Sequence, residues 1–409
     1  MRVNEIGPYD AAVTDPADLH AAFGVHPDLL QRAIGLLASP PNAQATALPS
    51  TLPDVGLGAA ETLDVMAPAV LAAARDLGAP GFFAHMDPPT PWITWAMELW
   101  TASRNQNLLH PDTAPAARDL EALVIDWLAP SFGMSGGHMT PGSTLANLTA
   151  IWAAREAGAH TVVSTDNAHL SVAKAAHLLG MFHRRIRDWD TPLTLDGCCA
   201  VITAGATSTG QIERLDAAPG AHWRHVDAAW AGPLRLSNTH RHLLDGIERA
   251  DSVAVSAHKW LFQPKESAIV LFADVEAAHR SISFGADYLA VANIGVLGSH
   301  GATAVPLLAT LLAYGRDGVS GWIDHSMYLA DQLARRIRSE PDLELRTAPQ
   351  SGVVNWRHTM ISATEVRTRL PADVFISTTT IDGQPWLRSV GANPMADPQQ
   401  VVAAVAGSA

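Results

Sequence analysis

"SAHKWLFQP", residues 256–264, contains the residue on which the reading of this chain turns. Lys259 is one of only three lysines, with Lys174 and Lys265, in a chain of 409 residues whose positive charge is otherwise carried by arginine. It follows the small apolar run "SVAVSA" (252–257) and sits between His258 and Trp260. Arginine would serve equally as a surface cation. A lysine held in an apolar site just past a strand can do something arginine cannot: its pKa falls, and the free amine attacks a carbonyl to form an imine. The plainer alternative is a lysine whose stem crosses apolar surface to reach water.

Working outward from Lys259, short apolar runs alternate with helical ones. Strands are expected at "TVVST" (161–165), "CCAVITA" (198–204), "HWRHVDAA" (222–229), "SVAVSA" (252–257) and "SAIVLF" (267–272). Helices are expected at 143–157, 169–181 and 239–249. This alternation predicts an α/β fold with a mainly parallel sheet. Ligands of such sheets bind beyond the carboxyl ends of the strands, where Lys259 lies. Residues 1–81 read as a helical arm, with amphipathic runs near 17–37 and 59–77 around the Pro-containing linker "ASPPNAQATALPSTLPDVG". Residues 82–310 read as a large domain and 311–409 as a small α+β domain. Helical runs from about 303, "TAVPLLATLLAYG" and "WIDHSMYLADQLARRIRSE", lead into the latter, followed by strands in "SGVVNWRH", "VFISTTTI" and "PWLRSV".

Composition removes several classes of function. With 48% hydrophobic and 16% charged residues the chain has a globular composition, and a net charge of −13 with no basic run argues against a nucleic-acid partner. No apolar stretch approaches the roughly 18 residues of a membrane span, and the opening "MRVNEIGPYDAAVTDPADLH" has no apolar signal core, so a cytoplasmic location is expected. Cys198 and Cys199 are adjacent in an apolar run and read as strand residues. His240 and His242 in "NTHRH" read as a solvated turn, and no metal site is expected.

Three further features lie where the strand-end rule puts ligand groups. "TPGSTLANLTAIWAAR" (140–155) is a Gly/Ser/Thr turn opening a helix, which offers N–H groups and hydroxyls to an anion or is simply a capped helix start. In "HVDAAWAG" (225–232), Asp227 ends a strand, either as a buried acid that needs a partner or as a helix cap. In "DNAHLSVAKAA" (166–176), His169 opens a helix after a strand. An anion-binding helix start, a ring-facing imidazole, a carboxylate and a lysine 32 positions later together match the needs of pyridoxal phosphate. A nicotinamide site is disfavoured because no G-x-G-x-x-G opens a βαβ unit.

The chain resembles the group II pyridoxal-phosphate-dependent amino-acid decarboxylases, of the aspartate-aminotransferase fold type I. The resemblance runs from roughly 50 to 315 and resumes near 386–393, through "FFAHMDPPTP", "NQNLLHPDTAPAARDLE", "NAHLSVAKAAHLLGM", "TAGATSTG", "HVDAAWAGPLRLS", "ADSVAVSAHKWL" and "GSHGA". It implies that Lys259 carries the cofactor's aldehyde, that Asp227 faces the pyridine nitrogen and that His169 stacks on the ring. It places Gly142, Ser143 and Thr144 in the phosphate turn, with Ser256 and His258 also serving the phosphate. Thr207 matches the threonine of the "TxGxTxxG" motif, and Ala229 the alanine packed against the ring. Arg388, in "PWLRSVGAN", resembles a C-terminal arginine that holds the substrate carboxylate or orders the site.

The implied activity is decarboxylation of an L-amino acid to amine and carbon dioxide, in a homodimer with its active sites at the interface. The alternative is another pyridoxal-phosphate reaction: oxidative deamination coupled to decarboxylation, transamination or carbon–carbon lysis. The segment carrying Phe82, Phe83, His85, Trp92 and Trp95 lines the partner subunit's pocket in relatives and points to an aromatic or apolar side chain, the alternative for each aromatic being a place in the core. The chain departs from the family pattern at Leu145, Ala206 and His300. Between Tyr288 and Gly298 it also lacks the long loop whose tyrosine protonates the α-carbon in animal-type members, which leaves His169 or water for that step.

Overall fold

The computed structural model describes residues 22–41 and 48–408, so positions 17–21 of the first expected helix and 42–47 of the linker lie outside the described residues. The chain divides into two compact units, Met1–Asp76 and Leu77–Ala409. The first contains helices α1 (Pro27–Ala38) and α2 (Ala59–Ala67), joined by an Arg32–Asp64 ion pair. Pro27 starts α1 at the first position, where a missing N–H is harmless.

The second unit is built on a seven-stranded sheet in the order β1-β7-β6-β5-β4-β2-β3. Its strands are β1 (Gly136–Thr140), β2 (Thr161–Thr165), β3 (Phe182–Ile186), β4 (Cys198–Thr203), β5 (Trp223–Asp227), β6 (Ser252–Val255) and β7 (Ala268–Phe272). All run in one direction except β7, which is antiparallel to both β6 and β1. Every residue of "CCAVIT" in β4 is buried, as expected for a parallel strand covered on both faces. Helix α5 (Ser143–Glu156) lays Ala146, Ala150 and Ala153 toward β6 and β7; their small side chains let the helix approach closely.

Two strands and one helix differ from the sequence reading. The β1 segment "GGHMT" has no apolar alternation, yet it pairs closely with β7: a Cβ on Gly137 would lie 2.0 Å from the Val270 carbonyl oxygen. The edge strand β3, "FHRRI", is mostly exposed and basic, so it carries no core pattern. The helix expected at 239–249 is instead two short 3₁₀ turns, Arg241–Leu244 and Ile247–Arg249. Gly246, at φ +99°, breaks the run between them.

The layer beside the sheet is formed by α8 (Ala304–Ser339), broken at Gly315, and a second, antiparallel sheet. That sheet has the order β10-β11-β13-β12, from β10 (Leu343–Leu345), β11 (Val353–His358), β12 (Ser377–Ile381) and β13 (Gln384–Val390). Position 310 falls inside α8, and Phe82 bridges to Phe375 beside β12. Two tryptophans join the layers. Trp230 and Trp260, both buried, have ring centroids 4.0 Å apart; Trp230 Nε1 donates to Ser351 O at 2.7 Å and Trp260 Nε1 to Gly391 O at 3.0 Å. The indole ring of Trp260 fits against Gly352, whose φ is +71° and where a Cβ would lie 2.6 Å from the ring. Gly352→Ala is therefore expected to destabilise the protein by about 2–3 kcal/mol, combining overpacking with left-handed backbone strain, and urea unfolding midpoints measure it.

Candidate active site

Five residues singled out in the sequence lie at or after the carboxyl ends of five strands, and the fold brings these ends together. Lys259 follows β6, Asp227 ends β5, Thr207 follows β4, His169 follows β2 and Ser143 follows β1. These five and Ala229 line one cleft, with Trp230 behind. Asp227 is buried, but both oxygens have donors: Ala229 N to Oδ1 at 3.1 Å and Asn147 Nδ2 to Oδ2 at 2.9 Å. Burial pushes the Lys259 ammonium below its usual pKa, opposed by the Asp227 carboxylate, so the amine is disposed to lose its proton.

One end of the cleft suits a phosphate. Gly142, at φ +110°, caps the 14-residue helix α5, whose first N–H groups have no helical partner. Ser256 Oγ lies 3.5 Å from Ser143 Oγ and 3.2 Å from His258 Nε2. His258 Nδ1 is buried without a hydrogen-bond partner, as is Thr203 Oγ1 on the cleft wall. Burial lowers the His258 pKa to about 4, with Lys265 and Lys259 adding to the shift. A helix start, two hydroxyls and an unused imidazole nitrogen are donors that fit a phosphate ester, while the carboxylate and amine fit a pyridine nitrogen and an aldehyde. Thr144 is half-buried in the first turn of α5 and does not line the cleft.

The remaining groups are more scattered. His169 caps α6 (Leu170–Leu178), with Nδ1 accepting from Ser171 N at 3.2 Å, and its imidazole pKa is lowered mainly by burial. Arg388, on β13, is buried and donates Nε–H to Thr207 O at 2.7 Å; burial lowers its pKa to about 10. His85 is exposed near Arg388, between Phe82 and Phe375 at centroid distances of 6.4 and 5.7 Å. Phe83 is placed elsewhere: it is wholly buried in the core containing Trp356, Ile376 and Leu387, so its ring packs the small sheet and has no face left for a substrate. Trp92 and Trp95 are exposed on α3 (Trp92–Arg104).

Several participants were missed by the sequence reading. Asn147 is one turn beyond Ser143 on α5, where a polar residue on an otherwise alanine-rich buried face was the available signal. Glu213 is buried and accepts from Thr203 N at 2.8 Å, Trp189 Nε1 at 3.0 Å and Asn167 Nδ2 at 3.1 Å, which stiffens the wall next to His169. Asp87 pairs with Lys265 and lies near His85 and His258. Nothing in their spacing links these groups.

His225, under the site, supplies a pH test. It is fully buried between Asn147 and Ser252, and burial holds its pKa at about 4 against an ordinary 6.5, with Asp227 opposing. Between these values the unfolded chain binds a proton that the folded chain refuses, so stability is present above pH 6.5 and falls as pH drops toward 4. His225→Gln is expected to lower stability at both pH 7 and pH 5, but with a loss between the two pH values smaller than wild type's by about 1–2 kcal/mol, read from urea titrations.

Comparison with known proteins finds chains similar to this one. The pyridoxal-dependent decarboxylase conserved domain matches residues 194–359. The L-2,4-diaminobutyrate decarboxylase of Acinetobacter baumannii is 28% identical over 369 residues, covering 74% of this chain and 72% of that protein. The aromatic-L-amino-acid decarboxylase of Bacillus atrophaeus is 25% identical over 355 residues, covering 76% and 74% respectively. The structure of Catharanthus roseus tryptophan decarboxylase in complex with L-tryptophan superposes with a TM-score of 0.78 at 20% identity, covering 96% of each chain, and shares the fold. No helix among the described residues is long and apolar enough to cross a membrane. With its cleft assembled from the strand ends and its domain match over residues 194–359, the chain is similar to the pyridoxal-phosphate-dependent amino-acid decarboxylases, lyases whose cofactor is pyridoxal 5'-phosphate.

Proposed function

We propose that this lyase acts on an L-amino acid with an aromatic or apolar side chain, using Lys259, Asp227 and His169. The observation that carries the assignment of residues is the convergence of a half-buried amine, a buried carboxylate and a half-buried imidazole on one cleft. When bound, the cofactor supplies an electron sink for the pair left on the α-carbon as carbon dioxide departs. Lys259, disposed to be uncharged, would be the amine that holds the cofactor's aldehyde. Asp227, held by two donors, would keep a proton on the pyridine nitrogen, and His169 and Ala229 would hold the ring between them. Gly142, Ser143, Ser256 and His258 would hold the phosphate, with Thr144 contributing only a backbone N–H from the helix start, and Thr207 would close the side toward Arg388.

Arg388 spends Nε–H on Thr207 and reaches Ser377 Oγ with Nη1 at 3.4 Å, so Nη2 remains to orient a substrate carboxylate. The aromatic group of Phe82, His85 and Phe375 beside it supports the aromatic or apolar reading. Asp87 favours a second reading, a substrate with a side-chain amine, as the name of the 28%-identical relative describes. For the reaction, the departure is at 288–298: Tyr288 is 74% exposed and no tyrosine follows it before Gly298, which favours outcomes other than simple protonation, such as oxidative deamination, as the alternative.

Lys259→Ala is expected to abolish the visible band that the protein gains on covalent attachment of pyridoxal phosphate, together with carbon dioxide release; an unchanged band would remove Lys259 from its role. A panel of tryptophan, phenylalanine, 2,4-diaminobutyrate and aspartate, scored for carbon dioxide, amine, aldehyde and peroxide, separates the readings. Release of carbon dioxide with equimolar amine from the aromatic substrates is the expected result.

The assembly we propose is a cytoplasmic homodimer; the buried free thiols Cys198 and Cys199 suit a reducing compartment. Helix α3 exposes Trp92 (63%), Trp95 (49%), Leu99 (45%) and Trp100 (62%) along one side, an apolar stripe of the kind that subunit interfaces cover. Dilution to monomer is expected to abolish activity, and Trp95→Ser with Trp100→Ser to raise the dissociation constant at least tenfold (about 1.4 kcal/mol) by analytical ultracentrifugation.

A further inference from the structure

A chain of buried hydrogen bonds runs beneath the cleft from β5 to His169. Trp223 Nε1 donates to Ser252 Oγ at 2.8 Å, and Ser252 Oγ lies 2.9 Å from His225 Nδ1. His225 Nε2 lies 3.0 Å from Asn147 Oδ1. Asn147 Nδ2 donates to Asp227 Oδ2 and to Ser171 Oγ, both at 2.9 Å. Ser171 Oγ lies 2.9 Å from His169 Nδ1, which also accepts the Ser171 backbone N–H at 3.2 Å. Asn147, Ser171, His225 and Ser252 are each at most 1% exposed, so water does not offer alternative partners.

The donors and acceptors along this chain fix where each proton sits. Asp227 Oδ2 receives a hydrogen bond, so the amide of Asn147 must turn Nδ2 toward it and Oδ1 toward His225. His225 therefore carries its proton on Nε2, and its Nδ1 accepts from the Ser252 hydroxyl, whose oxygen is already taken by the Trp223 N–H. Ser171 Oγ accepts from Asn147, which leaves its own proton for His169 Nδ1. That nitrogen then faces two donors, a hydroxyl and a backbone N–H, and has no room for a proton of its own.

We propose that Asn147 and Ser171 are positioning residues that hold His169 as the neutral ring protonated on Nε2, so that it offers the cleft a hydrogen-bond donor and never a basic nitrogen. The inference rests on the reading of His169 as the residue facing the cofactor ring. Protonation at Nδ1 would set an N–H against two donors, so His169 works by hydrogen bonding, without taking up a proton. The charged groups around it are balanced: Asp227 favours the imidazolium, Lys259 and Lys174 oppose it, and burial opposes it most. Asn147 thus connects the residue assigned to the pyridine nitrogen with the residue assigned to the ring face.

Nitrogen-15 NMR of the full-length protein carrying pyridoxal phosphate and labelled at histidine tests this, with the His169 signals identified by their loss in His169→Gln. The expected result is a single neutral Nε2–H form from about pH 6 to pH 8, where an ordinary histidine titrates. Ser171→Ala is expected to raise the His169 titration midpoint by about 0.5–1 unit, the value of one hydrogen bond, and to populate the Nδ1–H form. Ser171→Thr keeps the hydroxyl and is expected to restore the wild-type spectrum, a rescue that a packing role would not produce. Asn147→Leu is expected to shift the midpoint in the same direction as Ser171→Ala. A proton on Nδ1 in the unsubstituted protein, an ordinary titration of His169, or a Ser171→Ala spectrum identical to wild type overturns the proposal. Carbon dioxide release is scored separately, so a failed tautomer test with decarboxylation intact overturns this inference alone.

Discussion

A carboxylate buried at the end of a central parallel strand is the constraint around which this molecule is arranged. Asp227 sits on β5, in the middle of the sheet, where an unsatisfied acid would cost several kcal/mol. Its two oxygens take donors from its own turn and from α5. The donor on α5 is Asn147, buried on the same helix whose start forms the anion-binding turn, so satisfying Asp227 also fixes where that turn lies. The lysine that follows β6 and the histidine that follows β2 then inherit their positions from the sheet itself, because the neighbouring strands are held in register.

A second constraint joins this sheet to the small antiparallel one. The indoles of Trp230 and Trp260 each spend their N–H on a backbone carbonyl across the layer boundary, from Ser351 and Gly391. Arg388 crosses the same boundary to the Thr207 carbonyl, so the arginine that faces the mouth is tied to the loop after β4. A buried guanidinium without a carboxylate partner is costly unless an anion arrives, and the polar rim of His85, Asp87 and Lys265 lies near it.

The order of motifs in the chain made the fold type legible before any coordinates. Strands such as "TVVST" and "SAIVLF" carry enough continuous apolar character to be read directly, and the structure places them within a residue of the expected bounds. The strands that escaped have physical reasons for doing so: β1 is set by glycines that allow backbone approach, and β3 by its position at an exposed edge. The apparent helix at 239–249 kept an apolar spacing but is broken at Gly246. The role drawn for Phe83 failed for a comparable reason, since an aromatic residue next to a site and one in a core look alike along a chain.

By itself the sequence determined the chemistry: a lone lysine after a strand, an aspartate 32 positions earlier, a helix-opening Gly-Ser turn and a histidine, each at a strand end. Only the tertiary structure decided how those groups are held. Asn147, Ser171 and His225 are separated by 24 and 54 positions along the chain, yet they form one buried line because α5 packs against both α6, which carries Ser171, and β5, which carries His225. Spacing in a sequence records periodicity within an element, and the packing of one element on another leaves no such record, so hydrogen bonds made across that packing become visible only once the chain is folded.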